Sequence, residues 1–201
     1  NLSRFVKLEE GTTLAGLVAA DAIAQRRFQA HDNKSGNFNS GGFFAISNLY
    51  YASKAFPQPI QNGNFKIELA NSGGIADATT INVTQGHLEL GNDPFDFNLK
   101  LSQPVTAINF SSAAKGRFTL DNVQQFTQLE PGTSLKGLLD ADISFSGSKA
   151  DIDKKNYDKI NTSGIVNLSK VNYVSKDYPS GVQIQTAQLK FNPQNVALNN
   201  S

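Results

Sequence analysis

Apolar and polar residues alternate along several short stretches of the chain. In the clearest stretch Asp96, Asn98 and Lys100 separate four apolar side chains, which are Phe95, Phe97, Leu99 and Leu101. Side chains that change face at every residue are those of a β-strand. The pattern therefore predicts a strand with one apolar side and one solvated side.

A longer alternating stretch begins at Leu135. One face carries Leu135, Gly137, Leu139, Ala141, Ile143 and Phe145. The other face carries Lys136, Asp140, Asp142, Ser144 and Ser146. An earlier stretch has the same phase with smaller side chains, at Leu14, Gly16, Val18, Ala20, Ala22 and Ala24. Both stretches are predicted to be strands.

The two stretches belong to a duplicated unit. Seven of the ten residues in 8–17 return in 129–138, with their glycines 132 − 11 = 121 residues apart. A second block, 51–57, returns as 173–179 at a spacing of 173 − 51 = 122. The chain is therefore divided into a first unit, 1–121, and a shorter second unit, 122–201, in one continuous sheet rather than two independent domains. Since both units are incomplete, we expect a piece of a longer protein.

Helices have little support in this sequence. Propensity alone favours a helix over the Ala-rich residues 15–27. The equivalent residues 140–145 do not favour one, and repeated units should share a fold. One short helical turn per unit is predicted, over 2–8 and over its counterpart 121–126, where Asp121 offers an N-cap.

Further strands complete each unit. They are predicted over 42–51, 164–173 and 182–191, at Ile81 and Val83, at Leu88 and Leu90, and over 105–110 and 116–120. Turn signals at 85–86 and 91–94 separate three of these strands. The change of phase between Ile184 and Ala187 requires a bulge or turn near Thr186. Seven or eight strands per unit with short connections predict an antiparallel meander.

The predicted fold is all-β, a curved antiparallel sheet of tandem repeats (a β-taco) with a short helix per repeat. No amphipathic helix is available to cover the apolar sides. The sheet must therefore close, stack on a second sheet as a β-sandwich, or curl around a trough. In a trough each methylene of an acyl chain removed from water contributes about 0.8 kcal/mol. The groove is predicted to be lined by Leu135, Leu139, Ile143, Phe145, Phe95, Phe97, Leu99 and Leu101.

Composition excludes several classes of function. The chain has no Cys, which rules out disulfides, thiolate metal sites and Cys nucleophiles. A net charge of +1 with 17% charged residues gives no electrostatic basis for binding nucleic acid. Phosphate-binding loops and serine nucleophile elbows are also absent from the sequence.

Few side chains suggest chemistry. His31 and His87, without a Cys or a second His at ligand spacing, predict no metal site. Asp140 and Asp142 share a strand face, but the first unit does not repeat the pair, which favours solvated carboxylates over a catalytic pair. Residues 151–155 resemble part of a calcium loop without the Gly and Glu that complete it. The sequence thus predicts no catalytic residue, metal or cofactor, and a protein that is not an enzyme.

Several segments together resemble the AsmA-like proteins of Gram-negative bacteria, in particular their Bacteroidetes members. They cover essentially the whole chain with patterns of Gly and apolar residues, at 86–95, 116–121, 129–142, 164–168 and 191–198. The resemblance implies a periplasmic body of taco-like β repeats with a lipid-lined groove. It also implies an N-terminal helix, outside this sequence, that anchors the parent protein in the inner membrane.

The function that this resemblance implies is non-enzymatic lipid transport. Relatives of TamB within the family serve outer-membrane biogenesis by moving phospholipid or other acyl-chain lipids between the two membranes. The expected partners are such a lipid, the inner membrane and outer-membrane assembly proteins. The alternative is a structural or adhesive β-sandwich that binds a protein or glycan partner through its loops.

Overall fold

A computed structural model of the protein describes residues 8–26, 38–54, 56–125 and 129–200. Ten strands form one antiparallel sheet, in which each strand pairs with its neighbours in chain order. They are β1 Thr13–Arg26, β2 Phe38–Ser53, β3 Phe56–Ser72, β4 Thr79–Leu90, β5 Asp93–Ser102, β6 Asn109–Thr119, β7 Ser134–Ser148, β8 Asn161–Val174, β9 Val182–Phe191 and β10 Val196–Asn200. The sheet is curved and does not close, so the predicted all-β fold is confirmed.

Helical structure in the described residues is confined to connections. The segments are the 3-10 helices Ala76–Ala78, Leu120–Gln125 and Tyr157–Lys159 and one α-helix, α1, Lys149–Asp153. The turn predicted over 121–126 is thus present as a 3-10 helix, which contacts β7 and also reaches back to β3. Its predicted counterpart over 2–8 lies outside the described residues except for Leu8.

The described part of the first unit has six strands, β1 to β6, fewer than the predicted seven or eight. Residues 85–86 are not a turn but a bulge inside β4, where the register with β5 shifts between Val83 and Gly86. The predicted strands 105–110 and 116–120 are replaced by a loop and by the single strand β6. A bulge absorbs a change of phase without ending the strand. Counting each in-phase run as a strand therefore overestimated their number.

The hairpin signal at 91–94 is confirmed, because Leu90 faces Asp93 across a two-residue turn in which Gly91 has a φ of 64°. One strand has no counterpart in the sequence prediction. β3 occupies residues 56–72, for which no element is predicted, although Phe65 and its neighbours alternate in the same way as β5.

The duplicated sequence folds into duplicated geometry. β7 pairs with β8 in the same register as β1 pairs with β2. The second strand of each hairpin has one extra residue, Asn48 in β2 and Lys170 in β8, spaced by 170 − 48 = 122, with φ of 52° and 51°. The Lys170 bulge lies opposite Gln185 and accounts for the change of phase between Ile184 and Ala187. β9 itself runs unbroken through this point, so the feature near Thr186 is a bulge in the neighbouring strand and not a turn.

The sheet is a single layer in the part of the chain that the structure describes. Its most buried hydrophobic side chains are Val83, Ala114, Leu120, Val171 and Ala187, and no large side chain there is fully buried. The accessible surface is 13697 Å². A compact protein of this mass has roughly 9,200 Å². The β-sandwich considered from the sequence is therefore excluded for these ten strands.

Asp77 fastens one end of the sheet. Its carboxylate accepts hydrogen bonds from the backbone N–H groups of Val105 at 2.9 Å and Thr106 at 3.1 Å, and from the Thr106 hydroxyl. These bonds, the Thr106 hydroxyl foremost, hold the pKa of Asp77 below its ordinary value. The β3–β4 connection is thereby joined to the β5–β6 connection.

Asp77→Asn should lower the urea midpoint at pH 7 by more than it does at pH 3. Because the pKa is depressed in the folded state, the carboxylate stabilises the fold above its unfolded-state pKa. That stabilisation is lost as the pH falls through the folded-state pKa. Urea titrations at pH 7 and pH 3 measure the effect. Asp158→Asn, at an exposed carboxylate, is the control, and the same pH dependence in both variants would contradict the prediction.

Candidate functional site: the apolar face of the sheet

Strand pairing divides the side chains between two faces of the sheet. Residues that face each other in an antiparallel ladder lie on the same side. The row through Phe97 crosses all ten strands and consists of Val18, Ile46, Phe65, Gly86, Phe97, Ala114, Ile143, Gly164, Phe191 and Val196. We call this side the apolar face and the opposite side the polar face. At about 4.8 Å per strand the row is about 43 Å long.

The register places all eight predicted groove residues on the apolar face. In β5 the four apolar side chains are half-buried, whereas Asp96, Asn98 and Lys100 are exposed. In β7 the apolar side chains pair with this surface through β6, since Ile143 faces Ala114. A single strand, β6, thus separates the two groups of predicted groove residues. The groups are Phe95, Phe97, Leu99 and Leu101 in β5 and Leu135, Leu139, Ile143 and Phe145 in β7. Their role in binding lipid stays a prediction.

Two phenylalanine rings of β5 lie flat over glycines of the neighbouring strands. A Cβ atom at Gly86 would be 2.5 Å from the Phe97 ring, and a Cβ atom at Gly116 would be 2.5 Å from the Phe95 ring. The Phe97 ring centroid lies 6.1 Å from that of Phe95 and 6.5 Å from that of Phe65. Glycine removes the side chain that would otherwise hold the rings upright. The rings therefore cover adjacent backbone and form a continuous aromatic surface.

Charge is nearly absent from the apolar face. In β2 to β10 the described positions of this face carry no Lys, Arg or Glu, and their one carboxylate is Asp93. Asp93 is buried at one end of β5 and accepts two hydrogen bonds of 2.8 Å from Thr119, from its N–H and from its hydroxyl. Because Asp93 is already buried and hydrogen-bonded, these positions offer an apolar ligand a large surface without an exposed ionic group to desolvate.

Sequence reasoning missed part of this surface. Phe65, Ile67 and Leu69 of β3 lie on the apolar face and pair with Gly86, Val83 and Ile81 of β4 respectively. The same period of two was visible there, because Lys66 and Glu68 lie between the three apolar residues. The contribution of glycine has no such signal, because which ring covers which glycine depends on the pairing of separate strands.

The polar face carries two adjoining hollows of about 670 Å³ and 520 Å³. Both are bordered by Asp96, Lys115 and Asp142, and most of their other side chains also belong to the polar face. Of the eight predicted groove residues only Phe97 borders either hollow. The Lys115 ammonium and the Asp142 carboxylate lie 3.9 Å apart, and His87 Nδ1 lies 2.6 Å from Asp96 Oδ1. These are ordinary exposed pairs on a hydrated surface.

The carboxylates Asp140 and Asp151 form ion pairs or hydrogen bonds with neighbouring side chains. Asp140 lies 2.8 Å from the Arg117 guanidinium, and Asp151 accepts a 2.6 Å hydrogen bond from the Ser148 hydroxyl at the start of α1. That bond, the largest cause, lowers the pKa of Asp151. The described residues contain no group of three side chains arranged to hold a metal ion, and His31 lies outside them.

None of the described helices has the length and apolar character needed to span a membrane. Comparisons with protein-family models, curated proteins and solved structures gave no match to this chain.

Proposed function

We propose that the apolar face holds the acyl chains of phospholipids or other lipids, and that the protein is a non-enzymatic lipid-handling module. The resemblance to AsmA-like proteins supports a role in periplasmic lipid transport for outer-membrane biogenesis. The single observation that carries the proposal is an apolar face across ten strands that no second layer covers in the described residues. A contiguous apolar surface that no second layer covers is typical of a ligand-binding or protein-binding site.

The free energy of binding an acyl chain can be estimated from the open geometry of the face. A chain lying on an open face is shielded from water on one side only, so each methylene contributes about half of 0.8 kcal/mol. A sixteen-carbon chain then contributes roughly 6 kcal/mol, which corresponds to a Kd of roughly tens of micromolar. The described positions of this face in β2 to β10 supply no cation for a head group, so affinity should depend on chain length more than on head-group chemistry.

Titration with fluorescent lipids tests this. An NBD-labelled fatty acid and an NBD-labelled phosphatidylethanolamine should both give a saturable rise in fluorescence, at concentrations of roughly tens of micromolar. Affinity for the fatty acids should rise from eight to sixteen carbons, because each added methylene buries further apolar area. NBD-ethanolamine, which has the dye without a chain, is the control. An equal signal from this control, or affinity independent of chain length, would contradict the proposal. The adhesive alternative predicts no uptake.

A further inference from the structure

In the described residues one edge of the first strand, β1, has no paired neighbour, and its duplicate β7 shows which kind of strand can pair there. In the described residues β1 pairs only with β2, whereas its duplicate β7 pairs with β8 on one side and with β6 on the other. The β1–β2 register recurs residue for residue in β7–β8. The backbone of β1 therefore has the geometry that in β7 accepts a second antiparallel neighbour.

The edge of β1 has few of the features that protect free edges from pairing, and its only charged residues are Asp21 and Arg26. β1 is 14 residues long and contains no proline. Charged side chains, prolines and short strands normally blunt such edges. On its polar side Leu17 is 68% exposed and Ile23 is 59% exposed. An uncovered strand of this length and character is a template for strand addition.

Asp21 indicates the charge that suits a strand paired with this edge of β1. In the second unit the equivalent residue, at 21 + 121 = 142, is Asp142, which faces Lys115 of β6 with 3.9 Å between ammonium and carboxylate. Asp21 is exposed and has no partner in the described part of the chain. Alanine occupies position 19, where the second unit has Asp140 facing Arg117. The β1 edge thus has a carboxylate, Asp21, at the position that faces Lys115 in the second unit. It has no carboxylate at the position that faces Arg117.

We propose that the β1 edge is an acceptor site for one added antiparallel strand of the β6 type. Such a strand is an extended segment with a cationic side chain opposite Asp21 on the polar face and small or apolar side chains on the apolar face. Its register is fixed by the β6–β7 pairing. The residue equivalent to Lys115 faces Asp21, and the residue equivalent to Ala113 faces Ile23. Since β1 carries only alanines at 20, 22 and 24 on the apolar face, it leaves room there for larger side chains on the added strand.

The absence of native cysteine allows the register to be read by disulfide trapping. The probe is a peptide with the sequence of residues 109–119 in which the position of Ala113 is Cys. The full chain is prepared as three separate variants, Ala19→Cys, Ile23→Cys and Gln25→Cys. In a glutathione buffer the Ile23→Cys variant should form the peptide adduct at least fivefold faster than the other two, because paired residues in adjacent strands reach disulfide geometry. A scrambled Cys peptide of the same composition should not discriminate.

Charge changes in the peptide provide a matched pair of controls. Lys115→Glu should slow adduct formation about threefold to tenfold, because it opposes Asp21. Arg117→Glu makes the same change in charge opposite Ala19 and should leave the rate unaltered. Asp21→Lys, combined with Ile23→Cys, should restore the rate for the Lys115→Glu peptide.

Equal rates at all three cysteines, or equal effects of the two charge changes, would overturn the proposal. A disulfide-linked dimer of the Ile23→Cys protein formed in preference to the peptide adduct would assign the edge to a second copy of this chain and also overturn it. Lipid uptake is not part of this measurement, so the outcome is independent of the proposed function.

Discussion

Phe97→Asp should abolish uptake of the NBD-labelled fatty acid while leaving the sheet folded. The Phe97 ring lies over Gly86, half-buried, at the centre of the row that crosses all ten strands. A carboxylate at this place can stay hydrated as long as the open face is empty. An acyl chain that covered the carboxylate would have to remove its water, at a cost of several kcal/mol. That cost is more than about half of the roughly 6 kcal/mol that a sixteen-carbon chain gains by binding, so the remaining affinity is too weak to detect.

The matched control is Asn98→Asp, which introduces the same charge one residue away on the polar face. Asn98 Oδ1 accepts a 3.0 Å hydrogen bond from the Ala113 N–H, and an aspartate accepts it equally well. Uptake by Asn98→Asp should equal that of the unaltered protein. Circular dichroism and a urea titration report folding, and Phe97→Leu gives a variant that keeps an apolar side chain. Unchanged uptake by a folded Phe97→Asp protein would refute binding at this face. Loss of folding in Phe97→Asp, together with no uptake by the unaltered protein or by Phe97→Leu, would indicate a closed core.

Gly164→Ala should destabilise the sheet by about 2–4 kcal/mol. Gly164 has a φ of 156°, and a Cβ atom there would lie 2.4 Å from the Asp142 carbonyl oxygen and 2.8 Å from the Ile143 Cα. Both are backbone atoms of β7, so relief of the contact requires β7 and β8 to separate. The equivalent residue of the first unit, Gly42, would place its Cβ 2.2 Å from the Asp21 carbonyl oxygen, and Gly42→Ala should have a similar effect.

The urea midpoint of unfolding measures this loss, with Gly132→Ala as control. Gly132 has a positive φ of 87°, but a Cβ atom there meets nothing closer than the Lys176 Cγ at 4.0 Å. Its substitution therefore includes the backbone strain without the clash and should cost about 1 kcal/mol. Equal midpoints for Gly132→Ala and Gly164→Ala would show that the close approach of β7 and β8 is not what requires glycine.

Strand identity in β5 and β7 could be predicted from the sequence because the signal is local. A strand repeats its side-chain orientation every two residues. The alternation from Phe95 to Leu101, and the alternation that begins at Leu135, is therefore enough to predict a strand in each place. The sequence predicts two strands where the structure has the single strand β4, because Gln85–Gly86 has the composition of a turn. Whether such residues form a turn or a bulge depends on the neighbouring strands. The change of phase in β9 correctly predicts an irregularity in the β8–β9 pair. It does not predict that the extra residue, Lys170, belongs to β8.

The candidate surface could be predicted residue by residue but not as a whole. All eight residues assigned to the groove lie on one face, and Phe65 and Ile67 extend it by the same alternation. The covering of Gly86 and Gly116 by phenylalanine rings was not predictable, since it requires the register of β4 with β5 and of β5 with β6. Neither hollow of the polar face was anticipated, because their borders come from strands far apart in sequence.

The sequence by itself determined that the chain is β-structured, that its strands have one apolar side, and that a unit of about 121 residues is duplicated. Those properties reside in periodicity and identity along the chain, which need no information about neighbours. Only the tertiary structure decided between a sandwich and an open sheet. The same alternating strands satisfy both arrangements, and the choice depends on whether two apolar faces meet. Here all ten strands pair in chain order into one curved layer, so the apolar side of each strand joins those of its neighbours instead of facing a second sheet.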